Sequence, residues 1–230
     1  MSGALIEAEQ IAFCWRLFGE LGLCDKVELE VNSLGTSACR QRYRDALVTY
    51  LSEREASLDD DSKLRLKSNP LRILDSKNPD TKEILEGSPR LKDFIDDTSR
   101  VHFERLCGLL SAAGVTYEIN DRLVRGLDYY SKTVFEWVTD KIGAQGTICA
   151  GGRFDNLIEQ ISGKTGFAVG LALGMERLLL LLKSIELLPD SLGKNVDVYL
   201  VAVGNVTEQA FFISEQLRSE IPGLRVEQHC

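Results

Sequence analysis

A long stretch of helical sequence lies between two strand-forming parts of the chain, and it constrains the fold most. Residues 36–114 are rich in charged side chains, and their apolar residues recur at helical spacing, without a convincing strand. The flanking sequence differs. Residues 26–32 alternate apolar and polar side chains, and residues 133–138 have high strand propensity. We therefore predict an α+β protein whose mainly antiparallel sheet is built from segments on both sides of a helical insertion.

The remaining elements of this part follow from the same patterns. Residues 6–21 and 98–113 have the apolar spacing of amphipathic helices. Residues 115–119 alternate as a short strand does, and residues 168–173 form another strand candidate that leads into a helix over residues 175–188. These helices are expected to pack against the sheet.

The C-terminal part has the pattern of a βαβ unit. Residues 196–203 predict a strand, residues 207–221 a helix and residues 225–227 the start of a second strand, after a linker at residues 189–195. Strands of this kind need cover on both faces, so we expect further strands beyond this first unit.

Composition limits the functional classes. The formal net charge of −8 argues against a protein that coats nucleic-acid phosphates along its whole surface, although a local basic face is compatible with it. No apolar run is long enough to span a bilayer and no secretory signal is evident, so we expect a cytoplasmic protein that does not bind membranes. The six cysteines are scattered, which predicts core thiols and no dedicated metal site.

Residues 123–130, Leu-Val-Arg-Gly-Leu-Asp-Tyr-Tyr, contain the first candidate for chemistry. Arg125 lies between apolar residues and a glycine, and its guanidinium could hold a carboxylate or phosphate. The alternative is a structural pair of Arg125 with Asp128 at a tight turn, and spacing alone favours that alternative.

Residues 150–155, Ala-Gly-Gly-Arg-Phe-Asp, are the second candidate. Paired glycines let a backbone approach a ligand closely, and Arg153 or Asp155 could contact that ligand. The alternative is a turn that ends a strand before a helix. Neither of the common nucleotide-binding glycine patterns is present.

Residues 170–177, Gly-Leu-Ala-Leu-Gly-Met-Glu-Arg, are the third candidate. Gly170 and Gly174 precede a predicted helix, and Arg177 lies in its first turn, where backbone N–H groups and an arginine could hold phosphates. The alternative is close packing of strand and helix at the glycines.

In this order the three segments resemble the signatures of bacterial-type histidine–tRNA ligases, a class II aminoacyl-tRNA synthetase family. Residues 123–130 are similar to the first family signature, residues 150–155 to the second and residues 170–178 to motif 3. Residues 69–77, Asn-Pro-Leu-Arg-Ile-Leu-Asp-Ser-Lys, add a fourth similar block, and the resemblance covers nearly the whole chain.

The resemblance implies a two-step reaction. The carboxylate of histidine attacks the α-phosphate of ATP, with Mg²⁺ accompanying the nucleotide, and the histidyl group then passes to the 3′-terminal ribose of tRNA(His). It implies that Arg125 is catalytic and contacts both the histidine carboxylate and the ATP α-phosphate. Arg177 and Gly174 would also bind ATP.

The histidine pocket implied by the resemblance is aromatic. Tyr129, Tyr130 and Phe154 would line it together with Arg125. The family usually has tyrosine at the position of Phe154, and the missing hydroxyl removes a hydrogen bond that could favour a polar ring.

The resemblance also divides the chain. Residues 1–35 and 115–189 would form a partial catalytic core, residues 36–114 a helical insertion domain, and residues 196–230 the start of an anticodon-binding α/β domain. The family's motifs 1 and 2 are not in this sequence. We therefore expect that the chain by itself does not charge tRNA, whereas the full-length parent would be a homodimer.

Two other functions compete. One is a synthetase-like regulatory subunit of ATP phosphoribosyltransferase in histidine biosynthesis, which the complete first signature disfavours. The other is an interaction module in which residues 36–114 bind RNA or protein. Basic residues of that segment could contact phosphates, and a merely solvated helical surface explains them equally well: Arg40, Arg42, Arg44, Arg65, Lys67, Arg72 and Lys77.

Overall fold

The computed structural model describes residues 3–125, 129–143, 146–189 and 196–229. The chain forms two compact units, Met1–Ser184 and Ile185–Cys230. The first contains a mainly antiparallel sheet with packed helices, which confirms the α+β prediction. Sheet and helical insertion both belong to this first unit, and their division into separate domains stays a prediction.

Among the described residues, five strands form the main sheet, in the order β2-β1-β3-β4-β5. The pair β1 and β2 is parallel, and the other neighbours are antiparallel. Strand β2 is shorter than residues 115–119 predict, because only its last two residues pair with β1. The strands are β1 Glu28–Ser33, β2 Glu118–Ile119, β3 Ser131–Val138, β4 Thr147–Arg153 and β5 Val169–Leu173.

Two long helices, α1 Leu5–Glu20 and α5 Asp97–Ala112, pack on one face of this sheet, which we call the helix face. Alternate residues of β3 point to this face, and Trp137 is fully buried there. Its ring stacks on Trp15 of α1 at 5.8 Å between centroids and meets the edge of Phe18 at 5.1 Å. The helices therefore fix which residues of β3 are left for the opposite face.

The predicted helical insertion is confirmed, because every residue from 36 to 114 is described and none lies in a strand. Its helices are α2 Ser37–Ser52, α3 Asp60–Ser68 and α4 Pro79–Glu86, joined by 3₁₀ turns at Glu55–Ser57, Pro70–Asp75 and Leu91–Asp93, and α5 follows. Tyr43 and Leu47 of α2 share one buried cluster with Val134 of β3 and with Tyr130, the residue before β3. The insertion therefore packs directly on the sheet.

Asp59 holds two helices of the insertion together. Its carboxylate accepts hydrogen bonds from the backbone N–H of Ser62 at 2.9 Å and from the hydroxyls of Ser62 and Thr81, each at 2.7 Å. These donors hold the pKa of Asp59 well below its usual value. The residue is thus the N-cap of α3 and a link to the first turn of α4.

Two more helices, α6 Asp155–Ser162 and α7 Met175–Ser184, follow strands β4 and β5. Helix α7 is shorter than the prediction over residues 175–188, although the apolar run continues to Leu188. In the second unit, β6 Val198–Leu200 and β7 Val226–Gln228 are parallel and joined by α8 Thr207–Glu220. The predicted βαβ unit is confirmed, with a shorter first strand. Most of the predicted linker, residues 190–195, lies outside the described residues.

Three of the five cysteines that the structure describes are buried core residues, as predicted: Cys14, Cys39 and Cys149, whereas Cys24 and Cys107 are half-buried. Cys14 of α1 and Cys149 of β4 lie against one another, with 3.8 Å between their Sγ atoms. Their contact is part of the packing between helix and sheet. As to membranes, none of the described helices combines the length and apolar character that a bilayer crossing requires.

A buried ion pair also joins α1 to β4. The Arg153 Nε and Nη2 atoms donate to the two carboxylate oxygens of Glu7, each at 2.8 Å, and both side chains are fully buried. His102 of α5 lies 2.7 Å from the same carboxylate. Burial opposes ionisation of Glu7, but the hydrogen bonds from Arg153 and His102 lower its pKa to about 2. Three elements thus meet at one desolvated carboxylate.

We predict that Arg153→Met lowers the free energy of unfolding by about 3–5 kcal/mol, because it leaves the buried carboxylate of Glu7 without its main partner. Arg16→Met on the exposed side of α1 is the matched control and should change stability by less than about 0.5 kcal/mol. Urea unfolding measures both. A Glu7→Met/Arg153→Met double variant should be less destabilised than Arg153→Met alone, and a loss below about 1 kcal/mol in the single variant would contradict the account.

Candidate functional site

The face of the sheet opposite α1 and α5, which we call the open face, holds a row of paired residues. Residues paired across neighbouring strands lie on the same face of the sheet, so one row of paired residues runs from β1 through β3 and β4 to β5. Its members are Glu30, Glu136, Ala150 and Ala172. The open face is therefore acidic near β1 and β3, whereas small residues leave room above β4 and β5.

Three aromatic rings form a cluster beside this row. The centroids of Tyr129 and Tyr130 are 4.6 Å apart, and the edge of each ring meets Phe154, at 5.7 Å and 6.0 Å. Tyr130 is buried, while Tyr129 and Phe154 are partly exposed. Burial and the neighbouring Tyr129 raise the pKa of Tyr130, so this hydroxyl is protonated at neutral pH. The cluster offers an apolar surface with phenolic hydrogen-bonding groups.

Glycines on the open face let these rings lie close to the sheet. A Cβ at Gly152 would be 3.1 Å from the Tyr130 ring and 2.4 Å from the backbone oxygen of Thr133. A Cβ at Gly170 would lie 3.0 Å from the Phe154 ring. The paired position Gly152–Gly170 is therefore the floor on which the aromatic cluster rests.

Arg125 lies between the aromatic cluster and the acidic row. Its Cζ atom is 5.8 Å from the centre of the Tyr130 ring, and its Nη1 atom donates to Oε1 of Glu136. The turn pair proposed for Arg125 and Asp128 stays a prediction, because Asp128 lies outside the described residues. The guanidinium has five N–H donors, so its bonds to Glu136 and to the Tyr130 hydroxyl leave others for a ligand.

A cavity of about 350 Å³ brings Arg125 together with Gly174 and Arg177. Gly174 connects β5 to α7, because its N–H donates to the Ile148 carbonyl oxygen and its own carbonyl accepts from Leu178, at 2.8 Å and 2.9 Å. Arg177, in the first turn of α7, donates from Nη1 to the carbonyl oxygen of Thr147 at 2.7 Å. Two arginines and the N-terminus of a helix therefore line one cavity, and these groups favour an anionic ligand.

A larger cleft of about 870 Å³ adjoins this cavity and shares Thr147 and Arg177 with it. The helical insertion supplies part of its wall through Arg72, Asp75 and Lys77. Although the Asp75 side chain is exposed at the wall of the cleft, partial desolvation of its carboxylate, together with the charge of Glu136, raises its pKa. The insertion thus reaches the same polar region as the open face.

The structure brings together the six site residues that the sequence predicted: Arg125, Tyr129, Tyr130, Phe154, Gly174 and Arg177. It separates Arg153 from them, since its guanidinium points to the helix face and is occupied by Glu7 and Asp155. Arg153 therefore has a structural role, as the alternative interpretation of residues 150–155 proposed. Gly152 of the same segment lies on the open face.

Sequence reasoning missed three residues of this region: Glu136, Thr147 and Asp75. Glu136 had a detectable signal, because it is the one charged residue in the apolar strand segment 133–138. Asp75 lies in the family-like block 69–77, but nothing in that block indicated a place near Glu136, and Thr147 had no signal, since only the folded chain brings both near Glu136. Among the described residues, no three His, Cys, Asp or Glu side chains are grouped as a metal site requires.

Comparison with known proteins shows which family this chain resembles. Residues 40–178 match the family described as histidyl-tRNA synthetase. The crystal structure of the apo histidyl-tRNA synthetase of S. aureus is similar over 100% of this chain and 56% of that chain, with 29% identity and a TM-score of 0.68. The chain therefore spans little more than half the length of that protein.

Two other solved structures share the fold at lower identity. One is the histidyl-tRNA synthetase of Nostoc sp. PCC 7120, with 18% identity and a TM-score of 0.57 over 100% of this chain and 58% of that one. The other is described as an ATP phosphoribosyltransferase regulatory subunit/histidyl-tRNA synthetase from Bacillus halodurans, with 19% identity and a TM-score of 0.56. It is matched over 100% of this chain and 60% of its own length. At these identities the likeness concerns the fold alone.

The glycine floor leads to a graded prediction. Gly152→Ala should lower the free energy of unfolding by more than about 2 kcal/mol, because the new Cβ meets the backbone oxygen of Thr133. Gly170→Ala meets only the edge of the Phe154 ring, which can move, and should cost about 1 kcal/mol or less. Gly108→Ala in α5 is the control, with open space at its Cβ and an expected gain of about 0.5–1 kcal/mol. Urea unfolding of the three variants tests this order, and equal losses at Gly152 and Gly170 would refute it.

Proposed function

Because the chain belongs to the histidyl-tRNA synthetase family, we propose that its open face is the histidine- and ATP-binding part of a histidine–tRNA ligase site. The observation that carries this proposal is the position of Arg125. It lies beside an aromatic cluster on one side and shares a cavity with Arg177 on the other. An amino acid with an aromatic ring and a nucleotide phosphate would then meet at one guanidinium.

The proposed first step joins histidine to AMP. An oxygen of the histidine carboxylate attacks the α-phosphorus of ATP, the bond to the β-phosphate oxygen breaks, and pyrophosphate leaves. Arg125 would hold both reacting groups and stabilise the negative charge that develops on the α-phosphate. Arg177 and the N–H groups near Gly174 would hold the nucleotide. Mg²⁺ would accompany the ATP phosphates.

The proposed second step transfers the histidyl group to tRNA(His). A hydroxyl of the 3′-terminal ribose attacks the carbonyl carbon of the adenylate, and AMP leaves. During both steps the imidazole ring would be held by Tyr129, Tyr130 and Phe154. Because Phe154 has no hydroxyl, the two tyrosines would provide the polar contacts of this cluster.

The complete reaction, the tRNA partner, a homodimer and a cytoplasmic location all belong to this proposal. They are proposed for the complete gene product, since the chain covers 56% of the S. aureus synthetase. The cleft next to Arg177 supports an approach of the tRNA end. It adjoins the proposed ATP cavity and is lined by Arg72, Lys77 and Arg122.

A regulatory subunit of ATP phosphoribosyltransferase is the second candidate, because this fold also occurs in the Bacillus halodurans protein described as a regulatory subunit/histidyl-tRNA synthetase. The two functions differ in what they require of the site. Ligase chemistry needs an arginine that faces the reacting phosphate, and the orientation of Arg125 beside the cavity it shares with Arg177 favours the ligase. A stable complex of the complete gene product with a phosphoribosyltransferase, without histidine-dependent ATP–pyrophosphate exchange, would reverse this ranking.

We predict that Arg125→Ala in the complete gene product lowers kcat of histidine-dependent ATP–pyrophosphate exchange by about 10²–10³-fold, because a group that stabilises transition-state charge is lost. The KM for histidine should change far less. Arg16→Ala, on the exposed side of α1, is the control and should leave both constants unchanged. An unchanged kcat in Arg125→Ala would remove Arg125 from the catalytic role.

A further inference from the structure

Two side chains between Arg125 and Arg177 connect the arginines into one chain of hydrogen bonds. Glu136 accepts from Arg125 with Oε1 and from the hydroxyl of Thr147 with Oε2, the latter at 2.8 Å. The carbonyl oxygen of the same Thr147 accepts from Arg177 at 2.7 Å. The order is therefore Arg125, Glu136, Thr147, Arg177.

A shift in strand register makes this connection possible. Trp137 pairs with Cys149, but the next residue of β3, Val138, pairs with Thr147 rather than with Ile148. Val138 and Glu136 are two residues apart and share the open face, so the shift brings the Thr147 side chain to that face as well. With regular pairing, Ile148 would occupy this position and offer no hydroxyl.

The environment of Glu136 favours a fixed carboxylate. Its side chain is 14% exposed and that of Arg125 is 26% exposed, so their charge-assisted bond is largely removed from water. The Thr147 hydroxyl occupies the second oxygen and limits rotation of the carboxylate. Since Glu136 uses only the Nη1 atom of Arg125, the pair can persist while other N–H groups of the guanidinium bind a ligand.

We propose that Glu136 and Thr147 are positioning residues that set the spacing and direction of Arg125 and Arg177 for one phosphate-bearing ligand. The inference rests on the proposed function, in which both arginines bind ATP. It differs from a latch, in which Glu136 would compete with the ligand for Arg125 and weaken binding. If Glu136 positions Arg125, a hydrogen-bond acceptor at residue 136 strengthens binding of the phosphate-bearing ligand.

The network is first tested without ligand, by nitrogen-15 NMR of the arginine side chains in the 230-residue chain. Rotation about the Nε–Cζ bond of Arg125 should be restricted in the wild-type chain and become fast in Glu136→Ala. Glu136→Gln keeps an acceptor and should retain most of the restriction. Glu28→Ala, at the exposed start of β1, is the matched control and should change nothing. Unchanged rotation in Glu136→Ala would overturn the inference.

The functional consequence is tested by calorimetric titration of the complete gene product and the same variants of it with Mg·ATP. Glu136→Ala and Thr147→Val should weaken binding on the order of tenfold, because each removes a hydrogen bond to a charged group. Glu136→Gln and Thr147→Ser keep a bonding partner and should stay within about threefold of the wild-type affinity. Unchanged or tighter binding in Glu136→Ala would overturn the positioning role. A complete wild-type gene product that binds no ATP would contradict the proposed function instead, and the NMR comparison then decides on the network alone.

Discussion

Strand β3 has two faces with opposite chemistry, and the rest of the first unit depends on this alternation. Phe135 and Trp137 point to the helix face, where α1 and α5 cover them, so Val134 and Glu136 must point to the open face. A slip of one residue in the pairing would exchange the two sets and bury Glu136 among the aromatic rings of α1. The packing of two tryptophans and a phenylalanine thus fixes where the carboxylate that binds Arg125 lies.

The end of β4 serves both faces at once. Arg153 points to the helix face and anchors α1 through Glu7, while Gly152 on the open face leaves space for the Tyr130 ring. Asp155, just beyond, accepts from the N–H of Ala168 at 2.9 Å and so holds the segment that leads into β5. One short run of sequence therefore connects the stability of the core to the position of the aromatic cluster. Arg153 and Gly152 are therefore neighbours in sequence because the first holds α1 and the second leaves space for the Tyr130 ring.

Much of the fold was predictable, because strong periodicity fixes the type of an element. The patterns of residues 6–21 and 98–113 became α1 and α5, and the insertion is helical throughout. Element ends were less accurate: α7 stops at Ser184, four residues before the end of its apolar run.

The site was predictable only in part. Residue patterns left each segment with a structural alternative, and resemblance to a family placed the segments in one site. The links through Glu136 and Thr147 were not predictable, because they depend on a register shift between β3 and β4. Asp75 was missed for a similar reason, since packing of the insertion on the sheet brings a distant part of the chain to Glu136.

The central claim is that the open face of the sheet is a single site for histidine and ATP. Hydrogen–deuterium exchange of the chain, with and without histidine and Mg·ATP, tests it most directly. Both ligands are expected to slow exchange in β4 and at the junction of β5 with α7, where Gly174 and Arg177 line the cavity. Protection confined to α1 and α5 on the helix face, or to the unit of β6, α8 and β7, would contradict it.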